Sequence, residues 1–156
     1  MAEIIHNTDE VLAAFNRLLA AGQDLNEPMA VIAELLETAS LRAFEQEKNP
    51  SNGEAWAPLS EVTKARRRNG SDTILRDSAA LFQSITSFAD GDSASVGTNK
   101  VYARVQHFGA LKGAFKSSPR SIPWGDIPAR PFFGVGADDE DDILDTLASF
   151  LDDALK

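Results

Sequence analysis

The sequence predicts an α+β fold: N-terminal helices, a small antiparallel sheet or hairpin with an extended proline-rich arm, and a C-terminal amphipathic helix. Three observations predict it. Apolar residues recur at helical spacing near both ends of the chain. The period changes around Ile85, on either side of Asp90-Gly91-Asp92. Proline and glycine then punctuate the stretch before the last helix. A chain of 156 residues, 43% hydrophobic, is expected to be a single domain over 1–156 with a core that needs no covalent staple.

The first helix is expected over residues 8–21. Asn7 or Thr8 caps it, and Asp9 and Glu10 sit in the first turn, where the helix dipole favours negative charge. Val11, Leu12, Phe15, Leu18 and Leu19 make its apolar face, and Gly22 stops it. A second helix is expected over 27–47, with Asn26 as cap and Pro28 in the first turn. Met29, Ile32, Leu35, Leu36, Ala39 and Ala43 are its buried stripe, and Asn49-Pro50 ends it.

Residues 50–58 read as a loop in which Trp56 plugs onto the core. Ser60 caps a short helix over 61–68. Leu75, Ala79, Phe82 and Ile85 predict a further helix over 73–84. Residues 84–89 and 93–97 predict a β-hairpin, with the Asp-Gly pair supplying positive φ angles at its turn. Residues 102–108 predict a short helix or turn ending at Gly109, and 110–126 a long loop or exposed hairpin. The last helix carries Ile143, Leu147, Phe150 and Ala154 as a seam, with the acidic run 138–142 at its N-terminus.

Little in the chain points to catalysis. There is no cysteine, which excludes disulfides and thiolate chemistry. Of the two histidines, His6 lies in a terminus expected to fray, and His107 has no Glu or Asp three or four residues away, so His107 is expected to be a packed or hydrogen-bonded residue. The acidic run lacks the glycine bend of a calcium loop, and Gly134-Val135-Gly136 lacks the spacing of a phosphate loop. No catalytic residue, metal or cofactor is expected. No run approaches the roughly 18 apolar residues of a membrane helix, and residues 1–9 do not resemble a signal peptide, so an intracellular soluble protein is expected.

The net charge of −9 is unevenly spread. Residues 1–60 carry 10 acidic and 3 basic residues, 61–120 carry 5 and 10, and 121–156 carry 9 and 2. A basic middle between acidic ends suits contact between copies or with two different partners, and equally ordinary solubilisation. Arg66, Arg67 and Arg68 cannot all face one way on a helix. They are candidate contacts to solvent, to an acidic protein surface or to nucleic acid, although the overall charge opposes nucleic acid. Arg130 stands between prolines: Pro128 and Pro131 restrict φ and remove two backbone donors, which suits an edge strand or extended arm. Arg130 either pairs with an internal carboxylate or reaches across a subunit boundary. Phe132 and Phe133 point to opposite sides of an extended segment, so one ring is core and the other core or interface. Trp124, in the long loop, is a further candidate interface residue with Phe133.

Several blocks, in order, resemble the phage virion morphogenesis family, that of tail completion protein S and Mu-like protein G. They are Phe44 followed by Asn52-Gly53-Glu54-Ala55-Trp56 and Pro58-Leu59-Ser60 with Thr63; Leu75, Leu81 and Ser84-Ile85; Val96-Gly97-Thr98-Asn99; Tyr102-Ala103; Gln106-His107-Phe108-Gly109; and Ile127-Pro128-Ala129-Arg130-Pro131-Phe132 before an acidic helix. The resemblance covers about residues 34–150; the N-terminal helical extension 1–25 falls outside it, and 110–126 looks variable. It implies a non-enzymatic structural protein of the virion, assembled in the host cytoplasm. Such a protein completes the tail or joins tail to head, as a homo-oligomeric ring subunit contacting tail or head–tail connector proteins. A capsid-side assembly factor is the alternative. A nucleic-acid module resting on Arg66–Arg68 and an enzyme built on His107 are weaker readings.

Overall fold

The computed structural model describes residues 9–20, 22, 24–67, 70–114 and 125–154. The chain folds as α1 (Asp9–Ala20), α2 (Asn26–Gln46), α3 (Glu61–Arg66), β1 (Ile85–Asp90), β2 (Ser93–Thr98), α4 (Ala103–Phe108) and α5 (Ala137–Ala154). This is the expected α+β class, and α2 organises it. At about 1.5 Å per residue its 21 residues span about 30 Å. Its N-terminal half presents Met29 and Ile32 to Leu18 of α1 and to Ile143 and Leu147 of α5, forming a helical core. Its C-terminal half presents Ala43 and Phe44 to an aromatic core with Trp56, Leu59, Ile74, Leu81, Ile85, Ala103, Phe132 and Phe133.

The hairpin lies along α2. β1 and β2 pair antiparallel from Ile85↔Thr98 to Asp90↔Ser93, leaving Gly91-Asp92 as a two-residue turn. Ile85 joins the aromatic core and Ala94 packs on the helical one, so the hairpin runs beside α2 from one core to the other. Glu37 of α2 accepts a hydrogen bond from the Ser87 N–H at 2.8 Å, which covers an exposed donor of β1. The expected positive φ angles are absent: none of Asp90, Gly91 and Asp92 is left-handed. Packing of the hairpin along α2 supplies the register that a left-handed turn would otherwise set.

Two helix ends differ from expectation. Asn26 lies inside α2 rather than capping it; the Asp24 carboxylate accepts from its backbone N–H at 3.0 Å and from its side-chain amide at 2.6 Å. The helix stops before Asn49-Pro50 because Glu47 turns left-handed (φ 55°) and the Lys48 N–H bonds back to the Ala43 carbonyl at 3.2 Å. Ser60 does cap α3, accepting from the Thr63 N–H at 3.2 Å.

The expected helix over 73–84 does not form. Leu75 and Ala79 adopt left-handed φ angles of 59° and 56°, and only a 3₁₀ turn, Phe82–Ser84, follows. Bonds to groups outside the segment fix its start. The Ile74 N–H is taken by the Glu47 carboxylate at 2.6 Å, and the Thr73 carbonyl by the Arg67 guanidinium at 2.7 Å. The segment thereby inserts Ile74 and Leu81 separately into the aromatic core.

The proline-bracketed segment forms no ladder beyond one antiparallel bridge, Ala110↔Ile127, which closes the base of the long loop through bonds of 2.9 and 2.7 Å. After it the chain runs inward rather than out as an arm. α5 then starts with half of a capping box: the Asp139 carboxylate accepts from the Gly136 N–H at 2.9 Å and pairs with Arg42 of α2 at 3.2 Å.

Candidate functional site

The blocks that resemble the virion family lie far apart in sequence, yet most converge on the aromatic core. Phe44 and Phe132 are fully buried, with ring centroids 5.0 Å apart, and Trp56 meets Phe44 edge-on at 5.6 Å. The Trp56 indole N–H donates to the Pro131 carbonyl at 2.7 Å, which ties the loop after α2 to the proline segment. Phe133 packs 4.8 Å from Phe132, so both rings of the pair are core.

Arg130 is 7% exposed and turned inward. Its Nε and Nη2 donate to the carbonyls of Ala57 and Pro58 at 2.9 and 3.1 Å, and its backbone N–H donates to Gln106 at 2.9 Å. Burial holds its pKa below the usual arginine value; nearby Arg67 adds to that and Glu47 opposes it. Where an internal carboxylate or a subunit contact was expected, the guanidinium clamps the loop that carries Trp56. The basic cluster divides similarly. Arg66 points to solvent, whereas the Arg67 side chain is 8% exposed, bonded to Thr73 and 4.0 Å from Asp77. Arg68 and Trp124 lie outside the described residues.

His107 is buried under α4, with Nδ1 facing the N–H groups of Phe132 and Phe133 at 3.3 and 3.5 Å. Only the neutral ring can accept there, and burial lowers its pKa from 6.5 to about 4. It is a packed, hydrogen-bonded histidine, as its sequence context implied. Gly109 closes α4 with φ 73°, and a Cβ there would sit 2.7 Å from the Ile127 carbonyl and 2.8 Å from the Ala129 nitrogen. Gly97 is buried in β2, beside the Phe88 ring.

This framework holds a short apolar surface outward. Val101, Tyr102, Phe108 and Leu111 are 73%, 43%, 53% and 72% exposed, while Ala103 and His107 on the opposite face are buried. Arg104 and Phe108 share one exposed face of α4 at i, i+4, and the exposed Val101 stands in the turn just before it; together they form a ridge. Beside the ridge is a depression of about 290 Å³, rimmed by Asn99, Lys100 and Arg104 and floored by His107, Phe132 and Phe133. Tyr102, expected as a structural residue, belongs to this exposed surface. Nothing in the sequence marked Val101 or Leu111, because exposure is set by what α4 packs against.

Among the described residues no group of three or more His, Cys, Asp or Glu side chains is placed to hold a metal, and no helix is long and apolar enough to cross a membrane. The ridge and its depression present an apolar, cationic surface on an aromatic base.

Comparison with known proteins identifies the family. A model of the phage virion morphogenesis family matches residues 6–152. The chain belongs to that family. The match takes in all of α1, within the segment 1–25 expected as an extension outside the pattern. The chain is 34% identical over 151 residues to Mu-like prophage FluMu G protein 2 of Haemophilus influenzae, covering 96% of each chain. It is 30% identical over 146 residues to the putative capsid assembly protein G of Escherichia phage Mu, covering 92% of this chain and 89% of that one. No solved structure matches. Membership makes this virion morphogenesis protein a structural component of phage particle assembly.

Proposed function

We propose that this virion morphogenesis protein acts at the head–tail junction, completing the tail or joining it to the head as one subunit of a ring. The observation that carries the reading is the ridge around Arg104. Apolar and cationic side chains stand exposed there on a segment whose other face is locked into the core by Ala103 and His107. A rigid, exposed apolar face is suited to a protein contact and is otherwise a liability in water. A ring subunit needs two complementary faces, since head-to-tail contacts close into rings. The acidic α5 and the basic middle of the chain supply opposite charge for them. The partners on this reading are further copies and tail or head–tail connector proteins, and the protein resides in the virion after assembly in the host cytoplasm.

A capsid-side role is the second reading. It is favoured by the relative in phage Mu, which carries the name of a putative capsid assembly protein. Electron microscopy of lysates from a phage lacking this gene separates the two. Filled heads beside free tails of normal length are expected for tail completion or joining. Absent or malformed heads would move the protein to capsid assembly, and normal infectious particles would remove both readings.

A further inference from the structure

We propose that copies of this chain associate head to tail through one specific pair of surfaces: the 101–111 ridge of one copy seats in the groove between α1 and α5 of the next. The proposal rests on the ring reading above and names the faces that would build it.

The groove is a further apolar concavity among the described residues. It holds about 440 Å³ and is lined by Ala13, Ala14, Leu144, Leu147, Ala148 and Leu151, with Arg17 on one wall and Asp145 on the other. Asp141, Asp145, Ala148 and Asp152 are exposed at helical spacing along α5, so a carboxylate stripe borders the apolar floor. α5 carries no Lys or Arg. The segment 100–112 is its complement: Lys100, Arg104 and Lys112 interleave with Val101, Phe108 and Leu111, and no carboxylate interrupts them. Among the described residues the Lys100 and Arg104 side chains have no ion-pair partner within the chain.

The two surfaces cannot satisfy each other inside one copy. The ridge stands on the aromatic core at the C-terminal half of α2, and the groove belongs to the helical core at its N-terminal half. Met29 and Phe44 mark those halves and lie about 20 Å apart along the helix at 1.5 Å per residue. A second copy brings opposite charge to the rim and apolar side chains to the centre, which is the usual anatomy of a protein interface. Because the faces differ, the contact is heterologous and propagates, closing into a ring when the rotation permits.

The test uses the full chain and sedimentation velocity over a range of concentrations. One variant blunts the ridge (Phe108→Ser with Leu111→Ser) and a second fills the groove (Ala148→Arg). All three side chains are exposed, and Arg104→Glu serves in place of the first variant if that one does not fold. The natural chain is expected to form species larger than a dimer. Each variant alone should remain monomeric at concentrations at least ten-fold above that. An equimolar mixture should form heterodimers and nothing larger, since it contains one intact ridge and one intact groove. A natural chain that stays monomeric throughout would overturn the pairing, as would variants that assemble like it. Neither result touches the virion role, which the gene-deletion particles test separately. Assembly retained in both variants would leave a ring standing on other faces.

Discussion

At the scale of single residues, the family blocks mark side chains that hold the chain to itself. Gly109 is the strictest case. Its left-handed φ disfavours any Cβ by about 1–2 kcal/mol, and the 2.7 Å approach to the Ile127 carbonyl adds a backbone clash that cannot relax cheaply. Gly109→Ala is therefore expected to lose about 3 kcal/mol or more, read as a lower denaturation midpoint in urea. His107 makes a pH prediction. Its folded pKa lies below its unfolded value, so the fold excludes a proton that the unfolded chain accepts. The stability tied to the neutral ring is complete above about pH 6.5, declines as pH falls toward about 4, and levels off below that. His107→Asn keeps an acceptor without a titrating ring. The difference in melting temperature between the natural chain and this variant should change over that window; a constant difference would contradict the assignment. Residue identities here were legible in the sequence, but their duties were only partly so. Trp56 as a plug and His107 as a packed residue follow from their neighbours in the chain. The inward turn of Arg130 depends on the carbonyls of Ala57 and Pro58, more than 70 positions away.

At the scale of elements, helices with a strong local signal form where periodicity places them, and the exception is instructive. Residues 73–84 carry helical spacing, yet two of them turn left-handed; Arg67 holds the Thr73 carbonyl that would open the helical ladder, and Glu47 anchors the Ile74 N–H beside it. Ala79 has φ 56° in that segment, a conformation glycine adopts without penalty. Ala79→Gly should thus be neutral or stabilising by up to about 1 kcal/mol, the reverse of its effect in a helix, as thermal unfolding would show. The start of α5 offers a second check. Asp139→Ala removes the acceptor of the Gly136 N–H and the partner of Arg42 together. A loss of about 1–2 kcal/mol is expected, read as a lower denaturation midpoint in urea. The hairpin was legible from its change of period, whereas its turn geometry was not. Asp90-Gly91 permits a left-handed turn, and the packed strands do not use one.

At the scale of the whole molecule, α2 is shared by two cores, so damage to either is expected to be felt by the other. Leu147 is fully buried in the helical core, where Leu147→Ala should cost about 2–5 kcal/mol. Because α2 and the hairpin run through both cores, unfolding should remain a single transition when a Trp124→Phe variant is followed by Trp56 fluorescence in the aromatic core and by far-ultraviolet circular dichroism. Separate midpoints would show that the cores unfold independently. The sequence by itself determined the class of fold, the main helices, the hairpin and the family, because periodicity, caps and ordered motif blocks are local signals written along the chain. The tertiary structure alone decided that Arg130 and Phe133 turn inward, that residues 73–84 abandon the helix, and that Val101, Phe108 and Leu111 stand exposed. Each of those outcomes depends on hydrogen bonds and packing between segments distant in sequence, and no spacing along the chain encodes which of two faces a neighbour will cover.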